Sequence, residues 1–348
     1  GAGVQLGADA VAAIGRARQV VEDLAASPTP AYGISTGFGA LATKHIPTAQ
    51  REQLQRSLVR SHAAGTGPEV EREVIRALML LRLSTQATGH TGIRLETAQL
   101  MADLLTHGIT PVVREYGSLG CSGDLAPLAH CALALMGEGD VRDSNGDLMP
   151  AAEALRNTGL TPLTLAAKEG LALINGTDGM LGMLVLAIED LRVLLRTADI
   201  AAAMSVEGQL GTDRVFAPEL HSLRPHPGQQ SSAANIAALL KDSGVVDSHR
   251  GPDCNRVQDA YSLRCSPQVH GAARDSIDHC ALVAGRELQS AVDNPVVLDD
   301  GRVESNGNFH GAPVAYVLDF AAIVAADVAS ISERRTDRFL DKSRNNGL

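Results

Sequence analysis

Apolar residues recur every three to four positions along most of the chain. In residues 9–26, Val11, Ile14, Val21 and Leu24 fall on one side, the spacing of a helix that buries one face. Residues 71–85 repeat the pattern with Val74, Ile75, Leu78 and Leu81. Residues 95–106 do so again and are closed by His107-Gly108, a helix-ending pair. The longest stretch, 178–207, is apolar almost all round at its start, which predicts the centre of a bundle. Two further long helices are predicted over 267–292 and 313–338. Each opens on a proline, whose fixed φ and missing N–H suit a first helical turn. One stretch breaks the helical period: 296–303 carries Asp300-Gly301 between short valine-bearing runs, the pattern of a β-hairpin.

The predicted fold is therefore mainly α: a central bundle of long helices, a loop-rich N-terminal part and one short β-hairpin. The polar stretch 140–150, with Asp143-Ser-Asn-Gly-Asp147 inside it, marks the best boundary. It separates residues 1–145 from the long-helix part, 146–348, as two portions of one helical body.

Composition sharpens this picture. Of 348 residues 45% are hydrophobic, enough for a large core, while Ala and Leu dominate over aromatics and favour helix. The net charge of −10 argues against a nucleic-acid or anionic-membrane partner. The longest apolar run, 179–188, is shorter than a bilayer crossing requires. The five cysteines are odd in number and form no C-x-x-C pair, which points away from a disulfide framework or zinc site and toward a reducing cytoplasm. No His, Cys and Asp constellation has metal-ligand spacing, and the Arg334, Arg335 and Arg338 cluster reads as a solvated or intersubunit face.

The chemistry concentrates in 117–130, Gly-Ser-Leu-Gly-Cys-Ser-Gly-Asp-Leu-Ala-Pro-Leu-Ala-His. A phosphate-binding loop would end in Gly-Lys-Ser/Thr, and no lysine is present. A nucleophile elbow needs G-x-S-x-G, but the fifth residue is Asp124. A tight turn capped by Asp124 is the bland alternative. A third reading uses each residue. Gly123 has no side chain, so its amide nitrogen can bend back to the Cys121 carbonyl. Ser122 carries a β-hydroxyl that can leave as water. Closing Cys121-Ser122-Gly123 with loss of two waters gives a methylidene-imidazolone, an electrophile made from the chain itself. The helix that follows points its positive end at the turn.

This turn resembles the prosthetic-group motif of the aromatic amino acid ammonia-lyases, whose usual trio is Ala-Ser-Gly. Cys121 departs from that Ala, and its side chain lies outside the ring chemistry. The resemblance runs in order through Tyr32-Gly-Ile-Ser-Thr-Gly-Phe-Gly39, Ser61-His-Ala-Ala-Gly65, Asn175-Gly-Thr177, Gln258-Asp-Ala-Tyr-Ser-Leu-Arg-Cys265, Asn308-Phe-His310 and Ser332-Glu-Arg-Arg-Thr-Asp337. It implies the helical ammonia-lyase/fumarase-like fold, a homotetramer with shared active sites, and 4-methylidene-imidazol-5-one as prosthetic group with no external cofactor.

Roles carry over residue by residue as what the resemblance implies. Tyr32 is the candidate base for the substrate's β-proton. Arg264 holds the carboxylate with two parallel hydrogen bonds, and Gln258 assists binding. Tyr261 shapes the turn, Asn175 meets the prosthetic group and the amine, and Phe309 packs beside the ring. The pair Ser61-His62 is similar to histidine ammonia-lyases, whereas phenylalanine and tyrosine lyases tend to carry Phe-Leu or His-Leu there. His62 can hydrogen-bond an imidazole, so the implied reaction is L-histidine to trans-urocanate and ammonia. Either the substrate's amine or its imidazole carbon adds to the electrophile. A sister tyrosine or phenylalanine lyase or aminomutase is the near alternative. A catalytically silent helical assembly is the alternative of another class, because family members continue past the position of Leu348 and usually draw an acidic site residue from that segment.

Overall fold

The computed structural model describes residues 2–252, 254, 257–345 and 347. Leu348, the position beyond which relatives are expected to continue, lies outside the described residues. The chain opens with α1 Ala8–Ala26, α2 Thr48–His62, α3 Arg72–Ala87, α4 Leu95–His107 and α5 Leu125–Leu135, and the apolar spacing of 9–26, 71–85 and 95–106 falls on α1, α3 and α4. The short α6 Ala151–Asn157 and α7 Glu169–Ile174 precede the long α8, Asp178–Gly208. After α9 Pro218–Ser222, α10 Pro227–Leu240, α11 Gly244–Asp247 and α12 Tyr261–Arg264 come two long helices, α13 Ser266–Glu287 and α14 Ala312–Leu340. Helix α4 stops at His107 because Gly108 turns left-handed at φ 71, and the amide of Ile109 returns to the Leu104 carbonyl at 2.9 Å.

Helix α13 ends at Glu287, five residues before the predicted end at Val292. The residue before Pro295 is biased away from helix, and the carbonyls of Val292 and Asn294 are taken by side chains from elsewhere in the chain.

The predicted hairpin is present as β6 Val296–Val297 and β7 Val303–Glu304, with Gly301 at φ 82 in its turn. Two more small sheets lie among the described residues. In one, β1 Thr66–Glu69 pairs antiparallel with β3 Arg114–Tyr116. In the other, β4 Asp140–Arg142 pairs with both β2 Thr110–Pro111 and β5 Leu148–Pro150. The polar stretch 140–150 is thus a hairpin, its turn held by the Asp143 carboxylate accepting the amides of Asn145 and Asp147.

The chain divides into two compact units, Gly1–Met183 with Gly285–Ala315, and Leu184–Ala284 with Tyr316–Leu348. The first has a core built on Leu78 and Met79 of α3, Met101 and Leu104 of α4, Leu128 and Leu135 of α5, and Ile174 of α7. The second is organised around Ala202, Val206, Phe216, Ile236, Leu240 and Leu263. Its interior also holds polar groups. Asp199 accepts hydrogen bonds from buried His270, Asn235 and Arg274. Arg335 corrects the expectation of a solvated arginine cluster. It lies two helical turns after buried Val328 on the inner face of α14, where it donates to the Ser262 carbonyl and Ser266 hydroxyl. By length and composition alone, Glu169–Gly208 and Ala312–Leu340 reach what a membrane crossing needs, and 78% of the first apolar window is buried, as in a core helix.

Candidate active site

The glycine-rich turn is built from three segments far apart in sequence. Within it the chain reverses sharply: the Cys121 amide donates to Leu119 O at 2.7 Å, and the Gly123 amide to Gly120 O at 3.0 Å. Gly123 adopts φ 70, and a Cβ there would lie 2.3 Å from the Gly176 carbonyl oxygen and 3.1 Å from that of Phe309. No side chain fits, so residue 123 must be glycine. Gly311 closes the other side by donating to Gly120 O at 2.8 Å. Segments 175–177 and 309–311 therefore clamp residues 120–123.

Asp124 fixes this clamp, but not as a cap on its own helix. Its amide donates to Gly176 O at 2.7 Å. One carboxylate oxygen accepts the Ser118 hydroxyl at 2.7 Å, and the other accepts the amides of Gly179 and Met180 at 2.8 and 2.9 Å. The carboxylate thus caps α8, because the free amides of that helix reach it in the folded chain. Burial pushes the Asp124 carboxyl up to about 6, against the pull of these donors. Helix α5 starts directly after it, so the positive ends of two helices meet the turn segment.

Asn175 sits at the C-terminus of α7, and its side-chain amide donates to Asn294 O at 2.8 Å. Its own carbonyl accepts Nη1 of Arg82 at 2.7 Å. Arg82, absent from the sequence reading, is fully buried and faces Asp178 at 3.2 Å. Burial raises the Asp178 carboxyl above its ordinary range although Arg82 opposes it. A signal for Arg82 did exist: it lies one helical turn from Leu78 on the buried face of α3.

Tyr32 is half-buried, and its phenolic oxygen accepts the Gly39 amide at 3.4 Å. The next residue, Gly33, adopts φ 70 with no room for a Cβ, which would lie 2.5 Å from Leu171 of α7. The Tyr32 loop therefore rests on the helix that ends in Asn175. His62 is the last residue of α2, with Nδ1 2.9 Å from the Leu58 carbonyl. Nδ1 also lies 3.0 Å from the Ser61 hydroxyl; in the tautomer that donates Nδ1–H to the Leu58 carbonyl, Nε2 is the ring's acceptor. The following loop is held by His130, whose Nε2 accepts the Gly65 amide at 3.1 Å.

Tyr32, His62, Cys121, Ser122, Gly123, Asn175 and Phe309 all belong to the first unit. The second unit carries Gln258, Tyr261 and Arg264. Gln258 and Tyr261 are exposed, and the Arg264 guanidinium lies over the Tyr261 ring, 4.7 Å from its centroid. The Arg264 Nε is buried and has no partner among the described residues.

The sequence model of the aromatic amino acid lyase family matches residues 1–348. The chain belongs to that family. This lyase is 67% identical over 348 residues to a histidine ammonia-lyase of Streptomyces griseus, all of this chain aligning with 68% of that one. A histidine ammonia-lyase of Gloeobacter violaceus is 49% identical, with 100% and 67% covered. The chain spans about two thirds of the length of these relatives. Among solved structures, histidine ammonia-lyase from Trypanosoma cruzi matches with TM-score 0.88 and 39% identity over 99% of this chain and 65% of that one. Tyrosine aminomutase from Streptomyces globisporus matches with TM-score 0.91 and 38% identity over 100% and 68%. The mainly helical ammonia-lyase fold expected from the sequence is therefore the fold of the lyase family.

Proposed function

We propose that this chain is a histidine ammonia-lyase, a carbon–nitrogen lyase that converts L-histidine to trans-urocanate and ammonia. The observation that carries the reading is the turn: Gly123 is left-handed and wedged beneath the Gly176 carbonyl, with its amide bent back over residues 120–121. That bend suits closure of a 4-methylidene-imidazol-5-one from Cys121, Ser122 and Gly123. The Gly123 nitrogen bonds to the Cys121 carbonyl carbon, and the carbonyl oxygen leaves as water with the Gly123 and Ser122 amide hydrogens, which leaves a double bond from that carbon to the Ser122 nitrogen. The Ser122 hydroxyl leaves with the α-hydrogen as a second water. The Cys121 side chain takes no part.

When formed, the ring supplies an electrophile that draws electron density from the substrate and makes ammonia a better leaving group. The chain's other residues bind and move protons. Arg264 grips the carboxylate with two parallel hydrogen bonds, and Gln258 adds to that grip. His62 offers Nε2 to the imidazole N–H, and Asn175 receives the amine. Tyr32 takes the β-proton; the electron pair of that C–H bond becomes the new double bond as the carbon–nitrogen bond breaks. Phe309 packs beside the turn.

Histidine is favoured over tyrosine or phenylalanine by the Ser61-His62 pair and by relatives from three Streptomyces species named histidine ammonia-lyase at 66–67% identity. A homotetramer with shared sites is supported by α14, which exposes Tyr316, Phe320 and Ile323 along one face. We place the enzyme in the cytoplasm. A substrate panel tests the assignment: intact protein should release urocanate from L-histidine, read by its absorbance, and give little product from L-tyrosine or L-phenylalanine. Preference for tyrosine, or a β-amino acid product, would assign the chain to the lyase or aminomutase alternative.

A further inference from the structure

Arg82 is among the largest fully buried side chains of the described residues, at 0% exposure, and its contacts converge on one residue of the proposed site. Nη1 donates to the Asn175 carbonyl at 2.7 Å and to Asp178 Oδ2 at 3.2 Å, while Nη2 donates to the Val292 carbonyl at 3.1 Å. Val292 opens the short segment whose Asn294 carbonyl accepts the Asn175 side-chain amide. One guanidinium therefore grips the main chain of Asn175 and the segment that orients its side chain. The planar fork makes this possible; an ammonium has no second prong at fixed spacing.

A second buried cation braces the same segment. Lys168 Nζ reaches Asp293 Oδ2 at 2.6 Å and the Thr91 carbonyl at 2.7 Å, and Asp293 Oδ1 accepts the Asn294 amide at 2.7 Å. Arg82 also backs the turn: a Cβ on Gly176 would lie 2.2 Å from its Nη1, and the Gly176 carbonyl is the oxygen that presses on Gly123. A buried guanidinium loses its hydration, and its Nε has no partner among the described residues. A buried ion pair such as Arg82–Asp178 can often be replaced, both partners together, by apolar side chains without loss of stability, so charge pairing alone does not account for a fork that also grips two main-chain carbonyls.

We propose that Arg82 is a positioning residue of the active site, holding the Asn175 amide in one orientation and the Gly176 carbonyl against Gly123. The proposal rests on the histidine ammonia-lyase reading for what Asn175 binds, and on geometry alone for what Arg82 holds.

The test is a double-mutant cycle in the intact protein on a Ser122→Ala background, where L-histidine binds without turnover and calorimetry gives its dissociation constant. Asn175→Ala and Arg82→Lys should each weaken binding about tenfold, the scale of a lost charge-assisted hydrogen bond. The double variant should bind no more weakly than Asn175→Ala alone. Losses that multiply would show that Arg82 acts on general stability and overturn the proposal. Hydrogen exchange supplies a reading that needs no ligand: in Arg82→Lys the Asp124 amide, bonded to Gly176 O, should exchange about tenfold faster while α4 keeps wild-type protection. Unchanged exchange at Asp124, or a uniform rise that includes α4, would overturn it. If Arg82→Lys does not fold, L-histidine added to the Ser122→Ala protein should slow exchange in residues 175–180 and 290–296 together; a response in only one segment would refute the link. If L-histidine fails to bind at all, the substrate assignment falls and the ligand-free exchange still decides the role of Arg82.

Discussion

The two units hold their candidate site residues in different ways. In the first, the turn and its surroundings are buried and bonded: Gly123 has no room for a methyl group, Asp124 makes contacts to Ser118, Gly176 and α8, and Asn175 is gripped at both carbonyl and amide. In the second, Gln258 and Tyr261 are exposed, and Arg264 meets an aromatic face with no described carboxylate partner. The difference separates two tasks. Building an electrophile from main chain needs strict geometry, which only a packed interior imposes. Seizing a carboxylate needs an unspent guanidinium, which an internal salt bridge would consume.

The sharpest way to break the comparison is Ser122→Ala. Ser122 is half-buried and its hydroxyl has no hydrogen-bond partner among the described residues, so the fold should persist. Activity should be abolished, and intact mass should show the wild type lighter by two waters than its calculated mass while the variant keeps the full value. A wild type with unmodified mass and full histidine turnover would refute the ring.

Tyr32→Phe comes next. The lost hydroxyl has one described contact, the Gly39 amide at 3.4 Å, so folding and ring formation should be kept. The kcat should fall about 10²–10⁴-fold, the range of positioned acid–base groups. Wild-type turnover would make the 32–39 loop structural.

The buried character of the first region can be read through Asp124. Its carboxyl is raised from 3.8 to about 6, mainly by burial, so the folded protein holds the proton more tightly than the unfolded chain. That stabilisation is complete below 3.8 and is lost as pH rises through about 6. Across this window the wild type should lose on the order of 3 kcal/mol relative to Asp124→Asn, measured by denaturant unfolding at a series of pH values. Parallel pH profiles would mean that Asp124 is not buried as described.

These predictions also mark what could be read before the structure. The long helices were legible because each buries a face at its own period, and α4 announced its end with Gly108. The reactive trio was legible because its chemistry is local: a serine hydroxyl, an unhindered glycine amide and a sharp bend. The small sheets of 66–69 with 114–116 and of 110–111, 140–142 and 148–150 were not, since strands of two to four residues carry no alternation to detect. The capping of α8 by Asp124 was not legible, because its partners, Gly179 and Met180, are fifty-five and fifty-six residues away. The early end of α13 and the role of Arg82 share that cause: both depend on which carbonyls the folded chain brings within reach.

The smallest expected effect falls on the second region. Arg264→Lys keeps the positive charge and removes the planar fork. If Arg264 is held ready for a carboxylate rather than engaged within its own unit, stability should hardly change, because its one described aromatic contact is with exposed Tyr261. The KM for L-histidine should rise on the order of tenfold, the worth of one charge-assisted hydrogen bond. The kcat should fall less, through misplacement of the substrate's β-carbon. Histidinol, which lacks the carboxylate, should bind wild type and variant alike as a competitor. A variant that loses histidinol and histidine binding equally would show that Arg264 shapes the loop instead of gripping the substrate, and the contrast between a packed turn and an open carboxylate site would no longer hold.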